Sequence, residues 1–181
     1  MKKAISVLTI FVTAQLCVVA SEVANNLLRY IKNDDAGAII ELTQKSSAEE
    51  LGAISRTGLT ALHFAAVQNH VVAANELLNK GVPVDVRAPA KNNTTPLHWA
   101  AYKESIDVIR LLIKKGADIN AKADNGWTPL HFAVRTGKTV AVANLVKLGA
   151  DVNAKDGSGN MPIHLAAAAN DLKLVKLFYY L

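Results

Sequence analysis

Apolar positions in this chain come as paired short runs. Between Thr95 and Gly116, Leu97, Ala100 and Ala101 fall on one helical face, and a second run from Ile106 to Ile113 keeps the same period until Gly116. The spacing predicts two helices of about nine residues each, too short to persist alone in water, where about 12 to 15 residues are already marginal. They must therefore bury their apolar faces on neighbouring pairs. Thr95 and Thr128 suit the residue that opens a helix, and Pro96 and Pro129 suit the first helical position, where a missing N–H costs nothing. Gly81, Gly116 and Gly149 stand where a second helix should end in a left-handed residue. From Ala117 to Trp127 the chain turns polar, and Asp124, Asn125 and Gly126 predict a hairpin-like projection between short extended pieces.

The pattern recurs. "TALHFAA" begins at Thr60, "TPLHWAA" at Thr95, "TPLHFAV" at Thr128 and "MPIHLAA" at Met161, so His63, His98, His131 and His164 follow one another at intervals of 35, 33 and 33 residues. Self-similarity at this period marks a stacked-repeat architecture. Together with "KKGADINAKADNGWTPLH" and "KLGADVNAKDGSGNMPIH", these stretches resemble the ankyrin repeat over roughly residues 56–181.

The resemblance implies an all-α solenoid of stacked helix-turn-helix units with hairpin-like loops. It divides the chain into a degenerate N-terminal capping repeat at residues 21–55 and four ankyrin repeats at residues 56–181, the last truncated. It implies a framework role for Thr60, His63, Thr95, His98, Thr128, His131 and His164, the histidines linking adjacent repeats by hydrogen bonds. It also implies a non-enzymatic function, the binding of another protein through hairpin tips and exposed first-helix positions on a concave face. Those positions are Thr57, Leu59, Val67 and Gln68, then Asn92, Thr94, Tyr102 and Lys103, then Asn125, Trp127, Arg135 and Thr136, and finally Ser158, Asn160, Ala168 and Ala169. Among them Asn92, Tyr102, Lys103, Asn125, Trp127 and Arg135 are the candidate partner-binding residues, because Tyr, Trp and Arg are the types that dominate interface energetics. Trp127 has two readings, binding or packing on the next hairpin, whereas Trp99 shares its slot with Phe64, Phe132 and Leu165 and is assigned to packing.

Departures from the repeat carry their own expectations. Residues 22–52 lack the motif but keep its spacing, with Leu27 on Leu62 and Leu42 on Leu77, which predicts helices near Val23–Ile31 and Ala36–Gln44. Met161 replaces the capping threonine, a loss of about 1 kcal/mol that should make the last repeat fray first. Phe178, Tyr179 and Tyr180 either pack back onto the array or form an exposed apolar end. The loop from Gly81 to Thr95 has two more residues than later copies and contains Pro83 and Pro89. His70 is expected to start a second helix and to be solvated.

The N-terminus changes the picture of charge. Lys2 and Lys3 precede an apolar run from Ala4 to Ala20, the layout of a signal peptide, with Val18 and Ala20 placed for cleavage after Ala20. An uncleaved membrane anchor is the competing reading, although Thr9, Thr13 and Gln15 make the run polar for a span of about 20 residues. Cleavage would remove the two lysines and lower the formal charge from +5 to +3, and would remove Cys17, the one cysteine. The short Met-Lys-Lys start points to bacterial origin and to a periplasmic or secreted destination.

Catalytic motifs are absent. The chain has no Gly-x-Ser-x-Gly, no His-Glu-x-x-His and no cysteine pair, so no catalytic, metal or cofactor site is assigned. "GSGNMP" at Gly157 lacks the third glycine and the βαβ context of a dinucleotide loop. Nucleic acid is disfavoured, because Asp85, Asp124 and Asp156 interleave with Arg56, Arg87, Lys91, Lys122 and Lys155 along the hairpin row. A membrane is implied only if residues 4–20 are retained, which would make the protein an anchored scaffold. The third alternative is an accessory or inhibitor of an envelope enzyme.

Overall fold

The computed structural model describes residues 18–180. Cys17 and most of the leader-or-anchor segment at residues 1–20 lie outside the described residues; only Val18, Val19 and Ala20 are included, in a helix. That helix, α1, is described over residues 18–32 and is followed by α2 (Ala36–Lys45) and a one-turn α3 (Ala48–Leu51). The first full repeat contributes α4 (Ala61–Val67) and α5 (Val71–Asn79), the second α6 (Pro96–Lys103) and α7 (Ile106–Lys114). The third contributes α8 (Pro129–Arg135) and α9 (Thr139–Lys147), and the last α10 (Pro162–Ala168) and α11 (Leu172–Tyr179).

The first helices α4, α6, α8 and α10 stack in one layer, and the second helices α2, α5, α7, α9 and α11 in another. One core runs between the layers. In each of the first three full repeats a leucine (Leu62, Leu97, Leu130) and a small residue one turn on (Ala65, Ala100, Ala133) are buried, and the small side chains let successive first helices approach closely. In the capping repeat Leu27 is buried as expected, but Leu42 is only partly buried. Ile39 and Thr43 fill the corresponding space on α2, and the Thr43 hydroxyl bonds the Ile40 carbonyl. The short α3 was not foreseen; Ser47 and Glu50 close a reciprocal capping box at its start, and Leu51 anchors it in the core.

Each repeat reverses direction through one left-handed residue: Asp34, Asn69, Glu104, Gly137 and Asn170, all with φ between 54° and 68°. The residue after it donates its N–H back to the first helix, as His70 does to the Ala65 carbonyl and Ser105 to the Ala100 carbonyl, both at 2.9 Å. Second helices end at Gly81, Gly116 and Gly149, with φ of 90°, 89° and 101°.

Among the described residues the projections contain no strand, only isolated bridges at Ile54–Thr60 and Ala88–Thr94. Turn bonds hold them instead: the Ala123 N–H donates to the Trp127 carbonyl at 2.9 Å, and the Gly126 N–H to the Ala123 carbonyl at 2.8 Å. Consecutive tips also touch by main chain. The Asp124 N–H bonds the Asn92 carbonyl at 3.0 Å, and the Gly157 N–H bonds the Asn125 carbonyl at 2.9 Å. Gly126 has to be glycine here, because a Cβ would lie 2.5 Å from the Gly157 nitrogen. The longer loop between Gly81 and Thr95 absorbs its extra length in a 3-10 turn at Pro89–Lys91 and two left-handed asparagines, Asn92 and Asn93.

Candidate functional site

Two sets of side chains occupy the inner layer, and the structure separates them by what they bond. The first set is inward. His63 Nε2 lies 3.0 Å from the Thr94 carbonyl of the next repeat, and His98 Nε2 the same distance from the Trp127 carbonyl, while His131 Nε2 is 3.2 Å from the Asn160 carbonyl. A carbonyl only accepts, so Nε2 carries the proton in all three. Nδ1 then accepts from the hydroxyl of Thr60, Thr95 or Thr128, at 2.8, 2.8 and 2.9 Å. The threonines thus stand at the helix-opening position, but their hydroxyls bond the histidine ring rather than a free helix amide. The Thr95 N–H also donates to His98 Nδ1, at 3.1 Å.

Burial pushes His63 and His98 down from the ordinary 6.5 to about 4, with the Thr94 and Trp127 carbonyls opposing that shift in part. His131 is lowered by burial too, against the pull of the Asn160 carbonyl and the Asp156 carboxylate. These rings are neutral framework groups at ordinary pH, with every polar atom committed. In the last repeat Met161 supplies no hydroxyl, although its N–H still donates to His164 Nδ1 at 3.1 Å, and His164 is exposed.

His70 belongs with the framework rather than with solvent, contrary to its expected solvation. It is buried at the start of α5, where its Nδ1 accepts the Ala73 N–H at 3.2 Å, and Nε2 has Asp34 Oδ1 at 3.1 Å without a well-aligned hydrogen bond. The sequence contained a signal for this, since His70 stands where Ser105 and Asp171 open later second helices.

The second set points outward. Tyr102 is 37% exposed, its ring edge-on to Trp99 at 5.9 Å between centroids and flanked by Lys103 Nζ at 5.2 Å. Arg135 is exposed on α8 and, with Leu165, Ala168 and Ala169, walls a cavity of about 310 Å³ facing α10. Asn92 and Asn125 are exposed at successive tips.

Trp127 is brought into the framework instead. Its ring stacks near His131 at 6.3 Å and meets Phe132 edge-on at 5.6 Å, and its Nε1 donates to Asp156 Oδ2 at 3.2 Å, so most of it is covered. The same Asp156 accepts backbone N–H bonds from Asn160 and Ser158, and these hold its carboxyl below the usual carboxylate range. Two other expected surface positions are unavailable. Leu59 and Thr94 are buried, the Thr94 hydroxyl accepting from Trp99 Nε1 at 2.9 Å and donating to the Lys91 carbonyl.

At the far end the packing-back reading holds for Phe178 but not for its neighbours. Phe178 lies against the core, whereas Tyr179 and Tyr180 are 81% and 82% exposed. Among the described residues, no group of three or more His, Cys, Asp or Glu side chains is arranged to hold a metal ion, and no helix is long and apolar enough to cross a membrane.

The stacked pairs, left-handed corners and laced projections define a helical-repeat solenoid. A family model described as "Ankyrin repeats (3 copies)" matches residues 19–123 and 121–180, and the chain belongs to the ankyrin-repeat family. Similar curated proteins include "E3 ubiquitin-protein ligase KEG" of Arabidopsis thaliana, 29% identical over 105 residues, which are 58% of this chain and 6% of that protein. "Palmitoyltransferase ZDHHC17" of Homo sapiens is 44% identical over 63 residues, 35% of this chain and 10% of its own length. A "Putative ankyrin repeat protein" of Rickettsia felis is 33% identical over 64 residues, 35% of this chain and 21% of its own. The chain spans a small part of each, and those with enzyme names match through their ankyrin regions. An ankyrin-repeat array is a protein-interaction module and is typically non-enzymatic.

Proposed function

We propose that the protein is an exported, non-enzymatic binder that engages a partner protein through its concave face and hairpin tips. One observation carries the reading. The repeat's own polar groups, from His63 to Asn160, are committed to one another, while Tyr102, Lys103 and Arg135 project from rigid first helices without a structural task of that kind. Rigid presentation lowers the ordering cost of association, and Tyr and Arg are suited to dominate it. Asn92 and Asn125 extend the surface to the tips, and Trp127 supports it from below.

A photo-crosslinking residue placed in turn at Tyr102, Arg135 and, as the outer-layer control, Arg110 tests the surface in the native cell. Discrete conjugates from the first two positions and none from Arg110 are expected. Equal labelling from both layers would sink the concave-face assignment.

Export rests on Lys2, Lys3 and the apolar run that ends at Val18 and Ala20. The intact mass of protein from fractionated cells should begin at Ser21, in the periplasm or the medium. A chain that retains Met1 in the membrane fraction would instead make it an anchored scaffold.

A further inference from the structure

The inner layer carries one apolar side chain per repeat at an equivalent position: Phe64, Trp99, Phe132 and Leu165, each half-buried against the core. The charge carried by the first helices has one sign. The four first helices read ALHFAAV, PLHWAAYK, PLHFAVR and PIHLAAA, with Lys103 and Arg135 among them and not one Asp or Glu. Neither cation forms an ion pair among the described residues, where the pairs are Glu41–Lys45 and Asp34–His70. The nearest acid in sequence, Glu104, is turned to the outer layer, where its Oε1 accepts the Val140 and Ala141 N–H groups at 3.1 and 3.3 Å. The first-helix side of the groove therefore pairs apolar side chains with positive charge that forms no ion pair among the described residues.

We propose, building on the concave-face reading above, that this groove takes an acidic, extended peptide segment of the partner protein with apolar side chains at about every third residue. The spacing follows from two lengths. Packed helices lie about 8 to 10 Å apart, and an extended chain advances about 3.3 Å per residue, so one apolar position per repeat meets one side chain in three. Intervening Asp or Glu residues then reach Lys103 and Arg135. A single-stranded nucleic acid fits less well. It needs open aromatic faces and a cation for each phosphate, whereas Trp99 and Phe132 are engaged edge-on with Tyr102 and His98, and the first helices offer only Lys103 and Arg135.

Panning random displayed peptides of about 12 residues, enough to span four repeats, on the full chain tests the assignment. Acidic sequences with spaced apolar residues should be enriched. A synthetic consensus should lose about tenfold in affinity on Lys103→Glu/Arg135→Glu and weaken as salt rises. Circular dichroism checks that variant, and Lys103→Gln/Arg135→Gln replaces it if it does not fold. Neutral or basic peptides that still require Tyr102 would overturn the acidic assignment and leave the concave-face reading standing. No enrichment, or peptides indifferent to every groove substitution, would overturn both. Tighter binding of a single-stranded oligonucleotide than of any peptide would also overturn the proposal.

Discussion

Protonating His63 or His98 removes an acceptor and adds a buried charge at once. Nδ1 would cease to accept the threonine hydroxyl, and a charge would be placed in a site that excludes water. Both rings have a folded value of about 4 against 6.5 when free. Their contribution is therefore fully present above about pH 6.5 and is lost as pH falls towards 4, on the order of 3 kcal/mol for each ring at the limit. Urea unfolding followed from about pH 7 to about pH 4.5 should show a midpoint that drops steadily through this window, and His98→Gln should make the drop shallower. An unchanged slope in the variant would place the acid sensitivity elsewhere. The histidines were legible in the sequence because they recur at one position of a repeating phrase. The bond made by each threonine hydroxyl was not, since a helix-opening position names the slot but not whether the hydroxyl accepts from a helix amide or donates to the ring nitrogen. The position of His70 at the start of α5 was legible from its spacing; its burial was not, because that depends on how the ring packs where the helix opens.

At the scale of the helix, the second helices show a device that no single repeat contains. The left-handed corner residue of one repeat reaches forward to the start of the next repeat's second helix. Asn69 Oδ1 accepts the Val108 N–H at 3.1 Å and its Nδ2 donates to Asp107, while Glu104 Oε1 holds the Val140 and Ala141 N–H groups of α9. Lys138, at the opening position of α9 itself, makes no side-chain cap. Glu104 thus supplies across a repeat boundary what serine or aspartate supplies locally, and its carboxylate suits the positive end of a helix. Glu104→Ala should cost about 1 kcal/mol, whereas Glu104→Gly, which loses the cap but relieves a left-handed non-glycine residue, should be nearly neutral. Chemical denaturation of the pair checks this: no loss in Glu104→Ala would argue against the cap, and equal losses would argue against the backbone relief. Helix existence and order were readable from apolar spacing; these caps were not, because their partners are more than thirty residues apart.

Across the whole molecule, stability is shared between neighbours, so the array should open unevenly. The inner helices α6 and α8 are each packed on both sides, whereas α11 lies against α9 and α10. The last repeat also lacks the threonine hydroxyl and has an exposed His164. Hydrogen exchange should be fastest in α10 and α11 and slowest in α6. Met161→Thr should slow exchange in α10 and add about 0.5 to 1 kcal/mol. Exchange in α10 as slow as in α6 would contradict a graded array.

The main-chain bonds between consecutive tips, Asp124 to Asn92 and Gly157 to Asn125, use no side-chain atom. Gly126 and Gly157 are fixed by close approach, but the exposed side chains of Lys155 and Ser158 are free of that constraint. Mutational drift can therefore rewrite what the row of tips displays while its spacing stays constant. A lineage carrying this scaffold could change its target without having to re-evolve its shape.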